Sequence, residues 1–317
     1  MALHERMKTA LDETRTLILG AQILLGFQYQ GVFQERFEAL PPHARAMDAW
    51  ALGLMQLVTG LLIAPSAFHR IAEGGVSTGR MHALTGRFAA AALLPFAVAL
   101  GLDLAIALER ALGGRWMGWI AGTVVALLAL TTWYGMGEIM KQHEGAAERR
   151  KAAAERHRRE TAPLHARIEQ MLTEARVILP GAQALLGFQL VIVLTSAFEK
   201  LPELSRLLHG ASLLCVAMTV VLLIAPAALH RIVWAGEDSE GLLRAGGRLL
   251  LVALVPLALG IAGETYVVFA RIFESVVLGA TAAVVVLMAL LGLWFAWPMA
   301  VRRGLGAPDP AVSTGAG

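Results

Sequence analysis

The chain is short of cysteine, of charge and of catalytic motifs, and each shortage closes a route. Its single cysteine, Cys215, lies inside an apolar run. That excludes a disulfide within the chain and a thiolate metal site, and it suits a small packed side chain. Charged residues make up 16% of the 317 positions, against about 25% in a soluble domain. The 27 basic residues are divided among short segments and one central stretch, where a nucleic-acid-binding surface would gather them on one face. No HExxH, phosphate loop or nucleophile–base motif is present, so the sequence points away from an enzyme and calls for no cofactor.

What fills the chain is hydrocarbon. Some 57% of residues are hydrophobic and the mean hydropathy is +0.62. Apolar runs long enough to cross a bilayer core of about 30 Å lie at 17–36, 48–68, 87–108, 116–137, 178–197, 208–229, 248–270 and 276–298. They are continuous Leu, Ala, Val and Gly runs, unlike the alternating segments of a β-barrel, and in lipid a helix satisfies its own backbone. The sequence therefore predicts an all-α membrane protein with eight transmembrane helices. With the N-terminus inside, 20 of the 27 Lys and Arg fall on the inner side and 7 on the outer. By the positive-inside rule both termini are expected in the cytoplasm, and the expected location is the plasma membrane. Trp50, Trp116 and Trp119 then fall at outer ends, and Trp133, Trp234, Trp294 and Trp297 at inner ends, as an aromatic belt requires.

The chain also repeats itself. "ETRTLILGAQILLGFQ" at 13–28 returns as "EARVILPGAQALLGFQ" at 174–189, with 10 of 16 positions identical and a step of 161. The same step joins His69 to His230, Arg87 to Arg248, Pro95 to Pro256, Arg110 to Arg271 and Trp133 to Trp294. Four spans per unit bring both copies in from the same side, so the repeats are parallel, related by a pseudo-two-fold axis normal to the membrane. The division is 1–137 for the first repeat, 138–173 for a charged linker helix, 174–299 for the second repeat and 300–317 for a C-terminal tail. The linker, "AAERRKAAAERHRRE" with Pro163 interrupting it, reads as a cytoplasmic connector drawn to anionic lipid or as a docking arm.

Polar residues that survive in both copies mark candidate sites. Glu13, Arg15, His69, Arg70 and Arg87 should form a layer near the inner surface, with Glu174, Arg176, His230, Arg231 and Arg248 forming its mate. That layer is either interfacial pairing or an inner gate in which the histidines titrate. One histidine per repeat gives too few ligands for heme or metal. Gln22, Gln28, Gln183 and Gln189 lie on the first helix of each unit and should face inward. Asp103 and Glu264 keep their charge, not their identity, and sit about 24 Å beyond the Arg that opens their helix, level with Gln28 and Gln189. Contacts Gln28–Asp103 and Gln189–Glu264 follow. The acids either hydrogen-bond to these amides or pair with Arg110 and Arg271, or they bind a proton or cation.

The set E-x-R-x₄-GAQ-x-LLGFQ, F-x-x-LP and AP-x-x-x-HR-I followed by GR resembles a family of small actinobacterial four-helix membrane proteins of unknown function. Some of its members carry the label of sodium/proton antiporter. The resemblance covers about 10–137 and 171–298 and implies a tandem duplication of that unit. Two functions stay open: a proton- or cation-coupled secondary transporter using Asp103 and Glu264 with the His/Arg layer as inner gate, or a non-transporting membrane scaffold or sensor whose polar layers are structural. The partners are the lipid bilayer and a small cation or proton.

Overall fold

The computed structural model describes residues 3–74, 79–112, 115–135, 163–232 and 238–306, with side chains described from Leu17 onward in the first helix. All regular structure among the described residues is helical. The first repeat comprises α1 (Leu3–Gly31), α2 (Pro42–Ile71), α3 (Gly79–Leu112) and α4 (Arg115–Leu130). The second comprises α5 (Leu164–Ile192), α6 (Glu203–Ile232), α7 (Glu240–Phe273) and α8 (Val276–Leu291), with α9 (Trp297–Gly306) closing the described chain. Seven of these helices are long and apolar enough to cross a membrane among the described residues. The protein is a multi-pass membrane protein built from an internal repeat.

Local sequence sets the ends. Pro163 precedes α5 with extended backbone and α2 opens on Pro42, where a missing N–H costs nothing. Ser239 accepts the Leu242 N–H to cap α7, and Ser275 does the same for α8 through Leu278, satisfying donors that a helix start leaves free. Helix α5 starts at Leu164, ahead of the expected repeat boundary at Glu174, so the end of the linker range is continuous with this helix. The rest of the linker, Trp234 and the tail beyond 306 lie outside the described residues. Both units end α4 and α8 on a π-helical turn, Thr131–Gly135 and Gly292–Ala296, at the same step of 161.

The repeats meet mainly where α1 packs along α5. Beyond that seam the packing departs from two-fold. Helix α2 is central, with 78% of its apolar window buried, while its copy α6 has 28% buried. Helices α7, α8 and α9 pack against α2, whereas no comparable packing joins α3 or α4 to α6 among the described residues. Trp294, read as a belt residue, is instead fully buried and donates its indole N–H to the Gly60 carbonyl of α2 at 2.9 Å. Trp133, its equivalent, stacks on Phe96 within its own unit. A polar knot ties α1, α2 and α7. Gln56 donates to the Tyr29 hydroxyl (2.9 Å) and to Thr265 Oγ1 (2.5 Å), and Thr265 donates to the Ile261 carbonyl.

The seam itself is asymmetric. Gln22 is fully buried against Gly181 of α5, where a Cβ would collide with its side chain. The equivalent Gly20 has nothing near it, and Gln183 is exposed. Gln183 thus departs from the inward position expected for it. Pro180 occurs in the second copy only and removes the N–H that would bond to the Arg176 carbonyl, a local difference at the point where the two copies of this helix diverge. The asymmetry makes opposite predictions for two equivalent glycines. Gly20→Ala should raise the melting temperature in detergent, because alanine is the better helix former by about 1 kcal/mol. Gly181→Ala should lower it through overpacking of about 1–3 kcal/mol. A rise in both would show that Gln22 is not held against Gly181.

Candidate functional site

Two polar layers occupy the described bundle, about 22 Å apart along α5 as judged from the fifteen-residue step from Glu174 to Gln189. The inner layer is an ion cluster that joins the repeats. Glu174, 1% exposed, takes a hydrogen bond from His69 Nδ1 at 2.7 Å and from Arg70 Nε at 2.6 Å. His69 Nε2 accepts from the Gln170 amide at 3.3 Å, so the ring is held as the Nδ1–H tautomer and both nitrogens are occupied. His69 and Arg70, expected in a layer with residues of their own repeat, meet Glu174 of the mate layer. Their partner comes from the other repeat: α5 carries Glu174 to the end of α2.

Other members of that layer do not converge. Arg87, Arg176 and Arg248 are exposed, where long basic side chains keep their charge in a polar medium. They do not join the cluster. His230 is half-buried, with a buried Nε2 that has no hydrogen-bond partner among the described residues. The side chains of Glu13, Arg15 and Arg231 lie outside the described residues.

The outer layer comprises two clusters of matching construction. In the first repeat Gln28 Nε2 donates to Asp103 Oδ2 at 2.9 Å. In the second, Gln189 Nε2 donates to Glu264 Oε2 at 3.2 Å. Neither acid is paired with an arginine among the described residues. Arg271 turns instead to the Val32 carbonyl (3.0 Å), to Glu38 (2.9 Å) and over the Phe33 ring, and Arg110 is exposed. Glu264 is fully buried and meets His209, whose Nδ1 lies 3.0 Å from Oε2. His209 Nε2 lies 3.1 Å from the Gln189 carbonyl. A carbonyl only accepts, so Nε2 carries a hydrogen, and one proton then bridges Nδ1 and the carboxyl. The ring is also fixed edge-on against Phe198.

Reading the sequence missed His209 and its equivalent Asp48, which lie 161 apart. Asp48 is half-buried, lies within electrostatic reach of Asp103 and keeps Oδ2 buried without a hydrogen-bond partner. The signal was present: both copies place an ionisable residue at this point of the second helix. It was hidden because the sign of the charge changes between them. Gln56, Tyr29 and Thr265 were missed for another reason. Their equivalents Ala217, Leu190 and Leu104 are apolar, so repeat comparison gives them no weight.

The model of DUF6328, a family of unknown function, matches the chain twice, over residues 3–137 and 157–298. The chain belongs to this family. It carries two copies of the DUF6328 unit in tandem, and the second match begins ahead of α5, in accord with the early start of that helix. No curated protein and no solved structure matches the chain.

Breaking one member of a buried ion pair leaves an uncompensated charge and costs about 3–5 kcal/mol. Glu174→Gln should therefore lower thermal stability in detergent strongly. Arg176→Gln, two residues away and exposed, should leave it nearly unchanged. Equal small effects would mean that the cross-repeat cluster contributes nothing to holding the units together.

Proposed function

We propose that this DUF6328 protein is a proton- or cation-coupled secondary transporter of the plasma membrane. In this reading the chain crosses the bilayer eight times with both termini cytoplasmic, and its two units enter from the same face. The observation that carries the proposal is the pair of acids Asp103 and Glu264. Each lies within a span, each is held by a glutamine of its unit's first helix, and neither is paired with lysine or arginine among the described residues. Burying an ionisable group in a membrane is costly, and such groups mark ion and proton paths. A recess of about 580 Å³ is lined by Glu38, Arg45, Lys200, Ser205 and Arg271 among others. Ser205 is one helical turn from His209, which supports access from the outer side.

The scaffold reading draws on a different observation. The inner cluster is consumed in a cross-repeat ion pair, which suits a fastener better than a gate, and the basic linker would then serve as the output to anionic lipid or a partner. Ion flux separates the two. Purified protein in proteoliposomes should carry protons or sodium, and the double variant Asp103→Asn/Glu264→Gln should lose that flux by an order of magnitude or more. Flux that the double variant retains in full removes these acids from the mechanism. No flux in the unaltered protein favours the scaffold.

A further inference from the structure

The two outer clusters are built alike and charged differently. Glutamine from the first helix donates to an acid of the third in both. The second helix contributes His209 in one copy and Asp48 in the other. In the second repeat, imidazole and carboxyl share a proton and the cluster needs no further charge. In the first repeat, Gln28 holds Asp103, and a second carboxyl group, Asp48, lies within electrostatic reach of Asp103.

We infer that the first repeat binds an exchangeable monovalent cation, a proton or a sodium ion, among Gln28, Asp48 and Asp103, and that His209 takes the place of that cation in the second repeat. The inference rests on the outer clusters being the functional layer, as in the transport reading, and it adds a residue, Asp48, and a distinct role for each repeat. Three observations support it. Asp48 stands to Asp103 as His209 stands to Glu264, by the common step of 161 and the equal separation of 75 residues in both glutamine–acid pairs. Gln28 is 7% exposed, and its Oε1, on the same carboxamide that binds Asp103, has no hydrogen-bond partner. Asp48 Oδ2 is likewise buried and unpartnered. Oxygen atoms of amide and carboxylate are hard ligands that suit a small hard cation.

Among the described residues, protein cations do not meet the need. On α2, His43 is bound to Glu109 of α3 at 2.9 Å, and Arg45 faces Glu274 at 3.8 Å. From α1, Gln28 and Tyr29 present neutral groups, and Tyr29 is committed to Gln56. From α7, Arg271 is held by Val32 and Glu38. Two carboxylates sharing an apolar site cannot both stay ionised without a counter-charge, so the site retains a proton or takes a metal cation.

The second repeat also suggests the decisive variant. Asp48→His copies into the first unit a residue that the same scaffold already accommodates at 209, and Asp48→Asn removes the charge with little change of shape. The full-length protein in detergent is titrated with sodium chloride by calorimetry, choline chloride holding the ionic strength constant. Infrared spectra in parallel follow the C=O stretch of protonated carboxylic acid against pH. Saturable sodium heat that both variants lose identifies sodium. A protonated-acid band at neutral pH that both variants lose, without sodium heat, identifies the proton. Neither signal in the unaltered protein, or either signal surviving in a folded Asp48 variant, overturns the inference. Binding without flux in proteoliposomes would keep this site and remove transport. Flux with neither signal would remove the site and leave transport to Asp103 and Glu264.

Discussion

The fastening of Glu174 to His69 and Arg70 is the constraint on which the arrangement of the two units depends. A carboxylate, a guanidinium and an imidazole are taken from water together, and none of them can be left behind without a heavy electrostatic cost. Buried ion clusters add little net stability compared with well-packed hydrocarbon, but they admit only one pairing. Here the pairing joins different repeats. It fixes the inner end of α5 against α2 and, with the rigid rise of a helix, sets the depth at which Gln189 and Glu264 stand on the far side of the bundle.

Around that fastening, equal sequences meet unequal surroundings. Helix α2 is enclosed by helices of both units, and it carries Gln56, whose amide reaches α1 and α7 at once. Its copy α6 presents Leu207, Leu214, Met218 and Val221 outward, where lipid is an adequate solvent. In a bilayer the hydrophobic effect does not drive helices together, and small residues and polar contacts decide which surfaces close. The Gly60 carbonyl that receives Trp294, and Gly181 that receives Gln22, are such contacts. Both lie on one side of the apparent symmetry only.

Much of this was legible from residues alone. Helical class, membrane character and duplication follow from run length and the step of 161. The two glutamine–acid contacts follow from that step and the rise per residue. What could not be read was the partner of His69. A repeat fixes the register within a unit, but it does not say whether a charge at the end of α2 is answered by its own unit or by the other. The burial of Gln22 beside an exposed Gln183 was hidden for a related reason: helix rotation at the seam depends on the neighbour, not on the motif. Asp48 and His209 are not legible as a pair because the two copies preserve only ionisability at this position, not the sign of the charge.

Position 48/209 carries a consequence for how such proteins can evolve. When two separate, identical subunits associate about a two-fold axis, each change appears on both sides at once, and every site exists in duplicate. A covalent tandem is free of that rule. One copy can trade aspartate for histidine while the other keeps it, so a single polypeptide holds two chemically different pockets in otherwise matched frames. The link between the units thus permits division of labour, which no assembly of single DUF6328 units with one shared sequence could reach.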